Sequence, residues 1–442
     1  MTTIKPPPAS NRLMSLDALR GFDMFWIIGA DSLVYALGKI SDGLHGKTNT
    51  PGSPLYRLVA ALTDQLEHAA WEGFHFYDLI FPLFVFMMGA AIVFSLTNLV
   101  EREGRAGAMK RVIRRGVLLF VIGIFYSGGF TNAWPDMRLM GVLNRIALAY
   151  LFGGLLFCLF KPRSLVAICA GLLMGYWALM TFVPIRDIQL TRKSIAEVAA
   201  QAGDDKTAAY FNDRESPNPS TVKDSPAWAA TEKLFYATTN RVTSKFDKGY
   251  NVCDHFDFQY LPGKKYDTFF DPEGFLSTIP AVATCLLGIF TGLWLRNSSV
   301  PDMRKVGWLI GAGIAAVIVG WLWNFQFPVV KKIWTSSYVL VAGGYSAMFM
   351  GVFYLVVDVW KKQSWCQPFV WMGMNSITIY LASNIIGGFR RLSARLVGGD
   401  IKNFFEAHVT PGFGDLMISV VGLLLAFWFV RFLYQRKIFL RL

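Results

Sequence analysis

Charge is what this 442-residue chain has little of. Only 17% of it is Asp, Glu, Lys or Arg, against 54% hydrophobic residues, whereas a soluble domain carries about a quarter charged residues. That balance excludes an ordinary soluble fold and points to a membrane protein. Cysteine is also sparse: there are five. Four of them (Cys158, Cys169, Cys285 and Cys366) sit in or beside apolar runs, and only Cys253 falls in an outward loop. No disulfide framework and no metal-ligand spacing can be built from them, so no metal is expected. A cleavable signal peptide is not expected either. The first apolar run contains Asp17, Arg20, Asp23 and Asp31 and lacks a small-residue cleavage site. It therefore reads as helix one, behind a proline-rich MTTIKPPPAS lead that reads as disordered.

What the chain does have is apolar runs, each long enough to cross a hydrocarbon core of about 30 Å as a helix. They fall at 13–37, 74–100, 116–132, 138–160, 164–184, 275–296, 306–325, 337–360, 368–388 and 414–433. The fold expected is an all-α integral membrane bundle of about ten transmembrane helices with one long extracytoplasmic loop. The units are 1–185 with helices one to five, the loop 186–273, and 274–442 with helices six to ten. The net charge of +13 follows the same plan. With both termini cytoplasmic, the inward segments hold 20 Lys/Arg and the short outward ones 10, as the positive-inside rule requires. No nucleic acid is needed to explain the basic surplus.

The 186–273 loop is polar and mixed in charge. IAEVAAQAGDDKTAAYF reads as a short helix and ESPNPSTVKDSP as a loop. The segment is either a spacer or a cap that shapes an outer acceptor site.

Ionisable residues inside spans are costly and default to functional candidates. Here they are Asp23, Asp31, Asp78, Arg145 and Asp358. Asp17 and Arg20 lie one turn apart and read as a local ion pair. Counting from 138, Arg145 lies about 10 Å deep and is expected to pair with Asp78 or Asp31. Asp31 falls about 21 Å beyond Asp17 along the helix, near the outer leaflet, and His68 enters helix two from that same side. A carboxylate and an imidazole at one depth are the pair a general base needs. The alternative is an inert interfacial histidine.

RLMSLDALRGFDMF, HAAWEGFHFYDLIFPLFVFMMG, MRLMGVLNRIALAY, DPEGFLSTIPA, KKIWTSSYVL and PFVWMGMNSITIYL resemble, in the same order, blocks of the transmembrane heparan-α-glucosaminide N-acetyltransferase family. They cover residues 12 to about 386, and the block at His68 is the most specific. The lysosomal members carry an extra luminal domain and leading helix, so the chain looks like a compact bacterial homologue of a plasma membrane. The resemblance implies that acetyl-CoA binds from the cytoplasm and that its acetyl group passes to the amino group of a terminal glucosamine on the far side, without a metal and in a homodimer. The family's catalytic histidine falls on His68, and a family asparagine falls on Asp31, a departure that would charge-stabilise the imidazole. The family's Gly-Val-Leu-Gln-Arg appears as GVLNRI, with Asn144 replacing glutamine and Arg145 retained.

On that reading His68 acts as base in a direct transfer or first accepts the acetyl group itself. A pantetheine arm of roughly 20 Å cannot span the full core, so the thioester must be met partway. Arg111, Arg114 and Arg115 are candidates for the CoA phosphates, with Arg145, Asn375 and Ser376 as further cofactor candidates. Ser376 and the amides of Asn375 and Asn384 read equally as helix-to-helix glue. Trp71, Asp78, Asp271, Glu273, Lys331, Lys332 and Trp334 are candidates for the acceptor side. Their blander readings are interfacial anchoring for Trp71, Trp334 and the lysines, and helix capping for Asp271 and Glu273. Glu67, Glu72 and His75 have no assigned role. The competing functions are a proton-coupled sugar transporter and a non-catalytic scaffold.

Overall fold

The computed structural model describes residues 13–48, 54–131, 133–221, 225–385 and 388–440; the MTTIKPPPAS lead lies outside them. Among the described residues, eight helices are long and apolar enough to cross a membrane. Lipid offers backbone groups no partner, so each apolar run closes its hydrogen bonds internally as a helix.

The first span is α1 (Met14–Phe25) and α2 (Asp31–Thr48), joined through a wide π-type turn at Trp26–Ala30 where Gly29 takes φ 139°. α3 (Pro54–Gln65) packs back against α2. α4 (Phe76–Tyr126) is continuous in sequence but turns at Gly104 (φ 73°, ψ 175°). Phe84 from before that turn and Leu119 from after it line one cavity, which a straight helix, at 1.5 Å per residue, would forbid. The two arms are thus two crossings. The basic run expected as a loop at 101–115 is helical instead, because EREGRAGAMKRVIRR is made largely of good helix formers whose charged side chains are solvated.

α5 (Val142–Leu159) starts later than expected, after an extended Met137–Gly141. This brings Arg145 into the first turn at the helix end, rather than deep in the bundle. α6 (Pro162–Phe182) opens with proline at its first position.

The cap follows. α7 (Arg192–Gln201) and α8 (Asp205–Asn212) are two helices rather than the expected one, parted by Gly203 at φ 75°. α9 (Pro226–Ala237) and α10 (Val252–Tyr260) complete it. Two short antiparallel ladders pin it, pairing Ile185 with Val242 and Phe246 with Asn251. Ile195, Phe211, Phe235, Phe258 and Phe269 give it an apolar core of its own.

α11 (Thr278–Arg296) is the central helix of the bundle. It crosses α4 very closely: a Cβ on Gly288 would lie 1.8 Å from the Phe86 carbonyl oxygen, and one on Gly89 would lie 2.0 Å from that of Cys285. Small residues permit that approach. α12 (Asp302–Trp323) packs on α13 (Ser336–Phe353), which runs on through a π-type turn at Tyr354–Val359. α14 (Gln367–Met374) and α15 (Ser376–Ile385) make the ninth expected span in two pieces parted at Asn375. α16 (Phe389–Val397), α17 (Asp400–His408) and α18 (Phe413–Gln435) close the chain.

Candidate active site

The loop between α3 and α4 leaves helical geometry at Leu66 and bends until His75 starts α4. Two contacts from the second half of the chain hold the bend. Glu72 forms an antiparallel bridge with Val330, and the Gly73 amide donates to the Val329 carbonyl at 2.9 Å. Gly73 takes φ 117°, which a side chain would resist.

His68 projects from this loop with its side chain about half exposed. Its Nδ1 lies 2.9 Å from Asp78 Oδ1. Asp78 is buried in the first turn of α4, and its Oδ2 accepts the backbone amides of Ala69 and His75, both at 3.1 Å. The bond from His75 is the reach-back half of a capping box, so the helix start itself fixes the carboxylate. Lys331 Nζ lies 3.0 Å from His68 Nδ1 and 3.3 Å from Asp78 Oδ1. Burial pushes the Lys331 ammonium down in pKa, and the Asp78 charge opposes that shift. The Tyr77 ring packs 4.9 Å from the imidazole, and Tyr338 donates its hydroxyl to the Asp78 carbonyl at 2.7 Å.

This arrangement corrects two expectations. Asp31 does not hold His68; it accepts from the Tyr77 hydroxyl at 3.1 Å and from the Ser32 amide. Nor does Asp78 pair with Arg145. Arg145, displaced to the start of α5, donates to the Pro272 carbonyl at 2.9 Å and to the Ser277 hydroxyl, and stacks 4.8 Å over Trp334. Among the described residues no carboxylate bonds it directly: Glu273, Asp271 and Asp257 act on its charge from nearby, while backbone carbonyls, the Ser277 hydroxyl and an aromatic face make its contacts. The His-x-x-Asp spacing of 75–78 was the available signal for Asp78, since it marks a helix start with its carboxylate facing back along the loop.

A cavity of about 440 Å³ opens beside His68. At the cap end it is lined by His68, Tyr77, Lys331 and Glu273, and along its length by Phe81, Phe84, Met88 and Ile146. At the opposite end it reaches Ser95, Arg20, Arg115 and Tyr150. From Ile80 to Ser95 the wall follows α4 for about 22 Å. Arg115 lies 5.0 Å over the Tyr150 ring, and Arg20 lies 3.7 Å from Asp17, as the one-turn spacing suggested.

The remaining candidates separate around this cavity. Ser376 lines it. Asn375 is buried against the Trp371 carbonyl, and the side chain of Asn384 lies outside the described residues. Arg111 and Arg114 are exposed and outside the lining. Trp71 donates to the Phe246 carbonyl of the cap at 2.8 Å. Lys332 pairs with Asp267 at 3.0 Å, and Trp334 is buried with its Nε1 on Thr284. Asp271 and Glu273 both belong to Arg138, a residue the sequence reading passed over. Arg138 Nε and Nη2 hold the two Asp271 oxygens at 2.8 and 2.7 Å, and Nη2 also reaches Glu273 at 2.7 Å. Burial works against the guanidinium charge, but the two carboxylates outweigh it and hold the Arg138 pKa above its ordinary value. Burial raises the Glu273 carboxyl, with the Asp271 charge adding to it and Arg145 and Arg138 opposing. Of the two acids, Glu273 is the one that faces the cavity.

A protein-family profile described as a domain of unknown function, DUF5009, matches residues 12–185, which include His68, Asp78 and Arg115. The human heparan-alpha-glucosaminide N-acetyltransferase is 26% identical over 388 residues, covering 84% of this chain and 55% of that protein. The mouse enzyme of the same name is 23% identical over 396 residues, covering 84% and 56%. The chain spans about half the length of the curated relatives it matches. These matches extend over most of the chain's length and make it similar to the heparan-alpha-glucosaminide N-acetyltransferases.

Proposed function

We propose that this protein is a membrane-embedded acetyltransferase that moves the acetyl group of cytoplasmic acetyl-CoA to the amino group of an extracytoplasmic glucosamine-type sugar. The observation that carries the reading is one cavity lined by both His68 at the cap end and Arg20 and Arg115 at the other. Guanidinium groups suit phosphates, and the apolar middle suits a pantetheine chain about as long as the cavity. The names of the human and mouse relatives supply the class of acceptor.

The chemistry follows from the His68 contacts. With Nδ1–H donating to Asp78, a tautomer assigned from the hydrogen-bond network, Nε2 carries the accepting lone pair, with the Lys331 ammonium 3.4 Å away and turning to the thioester oxygen when substrate binds. Nε2 takes a proton from the acceptor amine as the amine nitrogen attacks the thioester carbonyl. The C–S bond then breaks, and the imidazolium returns the proton to the departing thiolate. Asp78 stabilises the imidazolium, and Lys331 presents its ammonium to the oxyanion that forms at the carbonyl. In the alternative route Nε2 attacks the thioester first, and the amine then takes the acetyl group from the acetyl-imidazole. Both routes use the same residues and give the same products.

The test supplies purified protein with acetyl-CoA and glucosamine and follows the free CoA thiol. Release should require both substrates and should fall by about 100-fold or more in His68→Ala, the scale of a lost general base. Full activity in that variant would remove His68 from the chemistry. Glucosamine uptake into proteoliposomes without any acetyl donor would replace the transferase with a transporter.

A further inference from the structure

Lys331 is the one primary amine among the described residues that line the cavity beside His68. The turn that carries it adjoins the strand holding the His68 loop: Val330 bridges Glu72, and the Lys331 carbonyl accepts the Trp334 amide at 2.9 Å. That turn sends its two lysines different ways. Lys332 leaves the cavity for Asp267 of the cap at 3.0 Å. Lys331 instead reaches Asp78 at 3.3 Å and both ring nitrogens of His68, Nδ1 at 3.0 Å and Nε2 at 3.4 Å. Its side chain is 21% exposed, so the amine is held in place yet open to the cavity.

These distances put an amine where the reaction needs one. An acceptor nitrogen must come within hydrogen-bond reach of the base that removes its proton, and Lys331 Nζ already lies close to that position beside Nε2. Only the neutral amine is a nucleophile. Burial pushes the Lys331 pKa down and so enlarges the neutral fraction, with the Asp78 charge opposing. Other groups of the lining compete poorly. The guanidinium groups of Arg20 and Arg115 stay protonated, and the Tyr77 hydroxyl is donated to Asp31 at 3.1 Å. None of the five cysteines lines the cavity.

We propose that Lys331 is a self-acetylation site: when acetyl-CoA is bound and no amino sugar is present, the acetyl group passes to Lys331 Nζ. The proposal rests on the transferase reading for its donor. The ammonium first releases a proton to water through the open mouth at His68. The Nζ lone pair then attacks the thioester carbonyl, a C–N bond forms and the C–S bond breaks. His68 Nε2 takes the surplus proton from the nitrogen and returns it to the CoA thiolate, leaving acetyl-lysine and the CoA thiol. Because Lys331 has left the oxyanion, this transfer is slower than transfer to a sugar. The amide it forms is uncharged and a poor leaving group. The modified chain therefore neither presents an ammonium to the oxyanion nor passes the acetyl group on. Sugar and lysine compete for one acetyl group, and a protein starved of acceptor turns itself off.

The experiment incubates purified protein with isotope-labelled acetyl-CoA, with and without glucosamine. Label is mapped by peptide mass spectrometry while free CoA is counted. Without glucosamine, label should build up at Lys331 to one acetyl group per chain. It should resist hydroxylamine, which an acetyl-imidazole would not, and remove transferase activity in proportion to its occupancy. Saturating glucosamine should suppress it, and His68→Ala should slow it by about 100-fold. Lys331→Arg, whatever its basal rate, should keep that rate through the same incubation. Turnover of glucosamine with no label at Lys331 in the acceptor-free sample overturns the site and leaves the transferase intact. Label that is equal in His68→Ala, or equal at the exposed Lys193, overturns it as unassisted chemistry. If glucosamine elicits no CoA release, the transferase reading fails; His68-dependent label at Lys331 then still upholds the site, and its absence overturns it.

Discussion

Asp78 has two duties that a single substitution can separate. Its Oδ2 caps α4 while its Oδ1 holds His68. Asp78→Asn keeps one acceptor oxygen but removes the charge that stabilises the imidazolium. We expect CoA release to fall by about 100-fold with KM for acetyl-CoA little changed. Asp31→Asn retains an acceptor for Tyr77 and should alter the rate by less than about threefold. Steady-state kinetics of the two variants side by side decides which carboxylate serves the histidine. A second residue-scale prediction concerns Asp257 in the cap. Burial lifts its carboxyl to about 7, although the Phe275 and Asp271 amides donate to it. The folded protein therefore keeps a proton there that the unfolded chain releases near 4. The stability from that proton is fully present below pH 4 and is lost as pH rises through about 7. The thermal midpoint of Asp257→Asn should consequently fall less than that of the wild type between pH 5 and 8, and parallel curves would refute the assignment.

At the scale of elements, the crossing of α4 and α11 is the contact most sensitive to volume. Gly288→Val would drive a branched side chain into the Phe86 carbonyl, costing about 2 kcal/mol or more. Gly175→Ala on α6 meets nothing within 4 Å and is the matched control. Thermal unfolding in detergent should show a large drop for the first and almost none for the second. The crossings themselves were legible in the sequence because the demand of a bilayer is local: a run near 20 apolar residues has one way to satisfy its backbone. Where each helix starts was less legible. The polar run 101–115 looked like a loop, yet its residues favour a helix and only Gly104 breaks it. Residues 138–141 looked like span, and that shift of one turn moved Arg145 from about 10 Å deep to the first turn of α5. The partner of His68 was misread for a related reason. Asp31 and His68 share a depth along their helices, but the loop carrying His68 bends back toward α4, and the strand that bends it comes from beyond Asn324.

For the whole molecule, we propose from the distribution of Lys and Arg that both termini and the Gly104 turn lie on the cytoplasmic side and the cap outside. In a cysteine-free background, Gly104→Cys should react with a membrane-impermeant maleimide only after the vesicles are opened, and Lys193→Cys should react in intact right-side-out vesicles. Labelling of both from the same face would contradict the orientation and with it the direction of acetyl transfer. The cavity supports the same polarity, since its guanidinium groups and its imidazole line opposite ends of one passage.

The bridge between Glu72 and Val330 also orders events during synthesis. His68 and Asp78 enter the membrane early, but the strand that fixes their loop, the Lys331 ammonium and the Ser376 and Tyr380 wall arrive only after the cap has been translocated. A chain stalled before that point has a histidine but no chamber to bring a thioester to it. On the proposed transferase reading, incomplete insertion products would be chemically silent.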